Sequence, residues 1–248
     1  MTDVPGDTGP AEEVTEGDAP TTPGRLVGLF GPLTLARVVA LVLAIGFLGG
    51  AVGWAVGSDN QPLSSTDVGF MQDMGVHHQQ ALEMSLVLLA DDSVDPELQR
   101  YAQEIIISQR FDQGIFNATL VRFGHKTDPG ETVMEWMGGH GTPLDQMTGL
   151  ATSEQMDQLS HAEGTEAAAL WIALMSEHHL GGMHMADWAS RHGSDSMTKI
   201  LAKAMTQFQR DEVLELSRYR LRNDLPIPAG FTDPTKDQRI NPLSLAEG

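Results

Sequence analysis

The chain of 248 residues contains no cysteine, so thiolate metal centres and disulfide staples are both excluded. Basic residues are scarce: 15 Lys and Arg stand against 34 Asp and Glu, for a formal net charge of −19. That balance disfavours nucleic acid and anionic lipid as partners and favours cations or basic proteins. Enzyme signatures are missing too. There is no zinc-protease helix motif, phosphate loop, dinucleotide fingerprint or nucleophile elbow. No Glu-x-x-His occurs anywhere, so the carboxylate-rich di-iron pattern of oxidase-type bundles lacks half its ligands. These absences predict a binding protein rather than an enzyme.

Charge is missing locally as well. Residues 1–24 hold six acids, no Lys or Arg, and many Pro, Gly and Thr, the composition of a disordered acidic tail. From Val38 to Gly57 there is no charged residue at all. Twenty residues at about 1.5 Å rise span about 30 Å, the thickness of a bilayer core, so 25–57 is expected to be a retained membrane anchor spanning 38–57. Arg25 and Arg37 lie on its N-terminal side, which places the N-terminus in the cytoplasm and the remainder outside. Gly49, Gly53 and Gly57 form a small-residue stripe that suits a second transmembrane helix or a homodimer. Once the six acids of the tail and the two arginines are set aside, residues 58–248 carry −15. They also carry all nine histidines and twelve of the thirteen methionines.

Those ligand-type residues are repeated. FMQDMGVHHQQALEM (70–84) returns as WIALMSEHHLGGMHM (171–185), 101 residues later, with His77-His78 matching His178-His179. Met74 matches Met175, Met84 matches Met185, and Phe70 is replaced by Trp171. At an offset of 100, Ala102, Gln109 and Asp112 match Ala202, Gln209 and Glu212. The repeating unit is therefore a helical hairpin, and two hairpins predict an all-α four-helix bundle over 58–222.

The first hairpin is expected over 66–124. Its first helix carries the seam Phe70, Met74, His77, Ala81, Met84 and Leu88, and its second starts at Asp95-Pro96-Glu97 and stops at Gly124. The second hairpin, 152–222, opens on the capping box Thr152-Ser153-Glu154-Gln155. Its first helix should run unbroken to Arg191, and its second should restart at Ser194-Asp195. A linker, 125–151, and an extended tail, 223–248, complete the chain.

Where an ordinary bundle buries leucine, these seams place His77, His178, Gln109, Gln209, Asp112 and Glu212. Burying such groups costs several kcal/mol unless each finds a partner. One solution is a metal. Met74, His77 and Met84 fall within about 80° of one helix face, and Met175, His178 and Met185 repeat the arrangement. His78 has Met71 nearby on the adjacent face, and His179 has Met183; His184 follows in the same run. Thioether and imidazole without thiolate suit Cu(I), with Cu(II) using imidazole and carboxylate, and zinc less well matched. The other solution is metal-free: one hydrogen-bonded His–carboxylate pair in each half, with methionine as core filler. The linker adds Met134, Met137, His140 and Met147, which read equally as a second, looser site, a lid over the first, or a surface loop.

The doubled Phe-Met-x-x-Met-x-x-His-His-x-x-Ala-x-x-Met pattern, Gln109/Asp112, Gln209/Glu212, Trp136-Met137 and Met147-Thr148-Gly149-Leu150 resemble the bacterial domain-of-unknown-function family 305 over about residues 65–222. The chain departs from that pattern at Asp112-Gln113, where the family favours Glu followed by an aliphatic residue, and at Gly182, where it favours Ala. The resemblance implies a ferritin-like bundle, exported or membrane-anchored, with some members linked to copper binding and tolerance. The expected function is a membrane-anchored extracytoplasmic copper-binding protein for sequestration or delivery. The alternative is a structural accessory subunit of a membrane complex, with no metal required.

Overall fold

Five α-helices order the chain in the computed structural model, which describes residues 62–240. Helix α1 (Ser65–Leu89) begins at a capping box: Ser64 caps the Asp67 N–H, and Asp67 accepts from the Ser64 N–H in return. Helix α2 (Pro96–Arg122) begins as its sequence requires, with Asp95 accepting from the Glu97 N–H and Pro96 at the first position. The two pack as an antiparallel hairpin. Helices α4 (Gly164–His192) and α5 (Ser196–Arg222) form the second hairpin, capped at α5 by Asp195. The hairpins meet through α1 and α4, the two helices that carry the repeated His-His run.

The expectation of one unbroken third helix is corrected. The Thr152 capping box forms, but it starts a short helix, α3 (Ser153–His161), that ends at an extended Ala162. Gly164 then takes a left-handed φ of 54°, and its N–H donates to Asp91 Oδ2 at 2.7 Å. A turn residue from the other hairpin thus stabilises the break that glycine permits. The fold is all-α in its main elements, with five helices in place of four.

Within 223–240 a single 3₁₀ turn forms at Pro234–Lys236, and Ile240 is buried against Leu180, Met183 and Val213. Arg239 holds it there by donating to the Leu180 carbonyl at 2.7 Å. The linker is ordered by a two-stranded antiparallel pair, Thr132–Val133 with Thr142–Pro143. Among the described residues no helix is long and apolar enough to cross a membrane. The acidic tail, the span 38–57 and the Gly49, Gly53, Gly57 stripe lie outside the described residues.

Burial follows the repeat. Phe70, Met74, Ala81 and Met84 on α1 and Trp171, Met175 and Met185 on α4 are wholly inaccessible. On α2 and α5 the stripe rotates: Gln113 and Val213 replace Asp112 and Glu212 at the centre. At about 100° per residue, the position four past Gln109 and Gln209 lies about 40° round the helix from them and the position three past about 60°, so Gln113 and Val213 sit nearer the buried centre. Asp112 and Glu212 therefore keep 25% and 30% of their side-chain surface exposed, and sit beside the core rather than in it.

Candidate metal centre

At the α1–α4 contact the imidazoles of His77 and His178 stack, with ring centroids 3.7 Å apart and planes 33° apart. Both are fully buried, as are His78 and His179. Burial, and then the neighbouring imidazoles, hold His77 and His178 well below the ordinary histidine range, so both are neutral at pH 7.

The hydrogen bonds fix the tautomers. His178 Nε2 lies 2.8 Å from the His77 carbonyl, His179 Nε2 2.7 Å from Glu212 Oε2, and His78 Nε2 3.3 Å from Asp112 Oδ2. A carbonyl or carboxylate oxygen can only accept, so each Nε2 carries a proton, and in neutral His178 the lone pair is left on Nδ1. None of those three Nδ1 atoms has a hydrogen-bond partner, and all three are buried. Neither ring nitrogen of His77 makes a well-aligned hydrogen bond either, although the Thr148 backbone comes near. Gln109 and Gln209 bury unpartnered amides in the same way. Native cores leave few polar atoms orphaned, and such a concentration calls for an explanation. A proton donated outward to an oxygen, with the opposite nitrogen free, is the arrangement that orients metal-ligating histidine. The donor set thus fits a soft or borderline metal ion bound through imidazole nitrogen, with buried thioethers on the same helices.

Among the described residues no three His, Asp or Glu side chains converge at metal-binding distance, the four core histidines included. The structure places Asp112 and Glu212 on the outer, Nε2 side of His78 and His179.

The linker lies over this core. Asp73, buried one turn before His77, accepts from the Met134 N–H at 2.7 Å and from the Trp136 indole N–H at 2.6 Å. Gln80, one turn after His77, clamps Ala151 in both directions, at 2.8 Å and 2.7 Å. Between the clamps, Thr148 and Gly149 cross α4 at Gly181, so closely that a Cβ on Gly181 would meet the Thr148 carbonyl and Gly149 Cα. Gly149 itself has φ 87° and abuts the His178 carbonyl. This half of the linker covers the His178 level of α4. At the start of α1 lies a further buried acid, Asp67, which burial pushes up but which the Ser64 and Ser194 hydroxyls and the Ser64 and Ser194 N–H groups bring below the ordinary carboxylate range.

The family model described as "Domain of unknown function (DUF305)" matches residues 67–220. The chain belongs to the DUF305 family. A DUF305 protein from Streptomyces coelicolor is 32% identical, with TM-score 0.61, over 66% of this chain and 97% of that one. A DUF305 fragment from Deinococcus radiodurans is 25% identical, with TM-score 0.55, over 65% of this chain and 99% of that one. CopM in its Cu(II)-bound form shares the fold at 20% identity and TM-score 0.51, over 63% of this chain and 96% of that one. No curated protein matches the chain.

Within this DUF305 chain, the structure brings His77, His78, His178 and His179 to one level of the bundle. Met74, Met84, Met175 and Met185 are buried on the same two helices, Met84 and Met175 within the main apolar cluster. Met71 is buried, and Met183 packs into the satellite cluster of Leu180, Val213 and Ile240. His184 is exposed on α4 and lines a separate cavity with linker residues. Asp73 and Gln80, which position the linker, were not anticipated. A buried acid on the seam helix, four residues before His77, was their one visible signal.

Proposed function

We propose that this DUF305 protein is a membrane-anchored, extracytoplasmic copper-binding protein that sequesters or delivers the metal, and that it is not an enzyme. One observation carries the reading: three buried histidines each give Nε2–H to an oxygen and leave Nδ1 without a hydrogen-bond partner. His77, His78, His178 and His179 would hold the metal, with sulfur from Met74, Met84, Met175 and Met185. Copper is favoured over zinc because zinc seldom recruits thioethers, and Cu(I) over Cu(II) because the nearby carboxylates are engaged by Nε2–H. That a Cu(II)-bound form exists of CopM, a distant fold relative, supports copper as the metal. Neutral His77 and His178 need release no proton before binding. Extracytoplasmic placement draws on the uncharged run 38–57 and on the Streptomyces relative, provisionally described as secreted. The glycine stripe would serve a homodimer or a partner's transmembrane helix.

The test is an anaerobic Cu(I) titration of the full-length chain in detergent against a competing chelator. A quadruple variant with His77, His78, His178 and His179 changed to Ala should lose the tight equivalents. A second variant, with Met74, Met84, Met175 and Met185 changed to Leu, keeps volume and apolarity and should fold but bind Cu(I) more weakly. Unchanged affinity in both sinks the proposal.

One observation favours the structural alternative: His78 with Asp112 and His179 with Glu212 are complete hydrogen-bonded pairs without metal. Elemental analysis of protein purified from its own membrane discriminates, since an accessory subunit would carry no stoichiometric copper.

A further inference from the structure

A cavity of about 290 Å³ opens away from the histidine core, where the first half of the linker folds across the C-terminal part of α4. Its chemistry comes from Met134, Met137 and His140 of the linker and His184 of α4, with Trp188 as an apolar wall. Two thioethers and two imidazoles line it, and no Lys or Arg does. His140 and His184 are exposed and Met134 and Met137 partly buried, so metal can reach these atoms directly from solvent. Nothing of that kind is available to the fully buried His77 and His178.

The linker side of the cavity is held rigidly. Met134 takes a left-handed φ of 64°, one of two non-glycine residues to do so among those described. Such a conformation costs on the order of 1 kcal/mol or more and persists only where the surroundings impose it. Here Asp73 imposes it: one carboxylate oxygen accepts both the Met134 N–H and the Trp136 indole N–H. Trp136 packs against Gly69 of α1, leaving no room for a Cβ there. The α4 side is equally fixed, since Trp188 stacks on His192 at 4.0 Å and His192 Nδ1 donates to the Trp188 carbonyl at 2.9 Å. A strained methionine held beside a second methionine and two accessible histidines is a preorganised soft-donor set.

We propose that this cavity is a second, solvent-facing Cu(I) site, with Met134 and Met137 supplying sulfur and His140 and His184 supplying imidazole nitrogen. It rests on the same donor chemistry as the core reading but shares no residue with it. Its accessibility makes it the fast-exchanging site, and the buried core the slow one.

Full-length protein in detergent, loaded anaerobically with Cu(I), is mixed with excess bicinchoninate, and copper transfer is followed in time. The wild type should give a fast and a slow phase. His184→Gln and His140→Gln change exposed side chains, and each should weaken the fast equivalent at least about tenfold, the smallest loss expected even for a residue one shell removed from a metal. Met134→Leu with Met137→Leu should abolish that phase, and His77→Gln with His178→Gln should spare it and remove slow copper. If the His184→Gln and His140→Gln proteins retain the fast phase at wild-type affinity, the cavity is no site. A fast phase lost in those variants, with slow copper unchanged in the His77→Gln, His178→Gln protein, upholds the cavity and overturns the core reading alone.

Discussion

Acidification should destabilise the metal-free bundle through two specific residues. His77 and His178 are neutral in the fold because burial and their neighbours depress their proton affinity. In the unfolded chain each titrates near pH 6.5. Below that value the unfolded state binds protons that the fold refuses, so stability is present above about pH 6.5 and falls as pH drops toward the folded-state values. Each refused proton costs about 1.4 kcal/mol per pH unit below about 6.5. Between pH 7.5 and 5.5 only the last unit counts in full, so the pair together contributes on the order of 3 kcal/mol. Urea denaturation of chelator-treated protein at the two pH values measures the difference. The control is His77→Gln with His178→Gln, which removes both titrations and leaves every other group in place. Wild type should lose on the order of 3 kcal/mol more than the variant over the window. Parallel stability curves would show that these rings are not held neutral by the fold.

Three further outcomes follow from contacts already described. Asp112→Asn and Glu212→Gln remove the acceptor charge behind His78 and His179 and should weaken copper binding by about 10–100-fold, read by chelator competition, with little change in unfolding midpoint. Gly182→Ala restores the residue that the family pattern favours, yet its Cβ would land 2.5 Å from Gln209 Oε1; a loss of about 1–3 kcal/mol in denaturation is expected unless Gln209 turns aside. Trp136→Phe leaves Asp73 with one donor fewer and should cost about 1–3 kcal/mol while loosening the linker, visible as faster amide exchange at Met134.

The helix starts at Asp95-Pro96 and Thr152 and the burial of His77 and His178 on their seams were legible in the sequence, because each depends on spacing within a single helix. The features that escaped depend on residues far apart in the chain. Asp91 fixes the break before Gly164 from 73 residues away, and Asp67 ties the start of α1 to Ser194 across 127. Periodicity registers neither, although the Ala162-Glu163-Gly164 interruption offered a local hint. Asp112 and Glu212 were assigned to the seam by a strict heptad, and the true helical period turns them to its edge. The course of the linker over the core was not legible, because the clamps from Asp73 and Gln80 join residues 61 and 71 apart.

The bond from His178 Nε2 to the His77 carbonyl has no mirror image: among the described residues nothing runs from His77 back to His178. Two copies of one hairpin gene would have to change both histidines together with every mutation. In a single polypeptide the two halves can differ one residue at a time, and here one ring is anchored to its neighbour's backbone while its twin has only the Thr148 backbone nearby. Two half-sites in one chain can thus be unlike where those of a homodimer could not, and substitutions at His77 and at His178 need not have equivalent consequences.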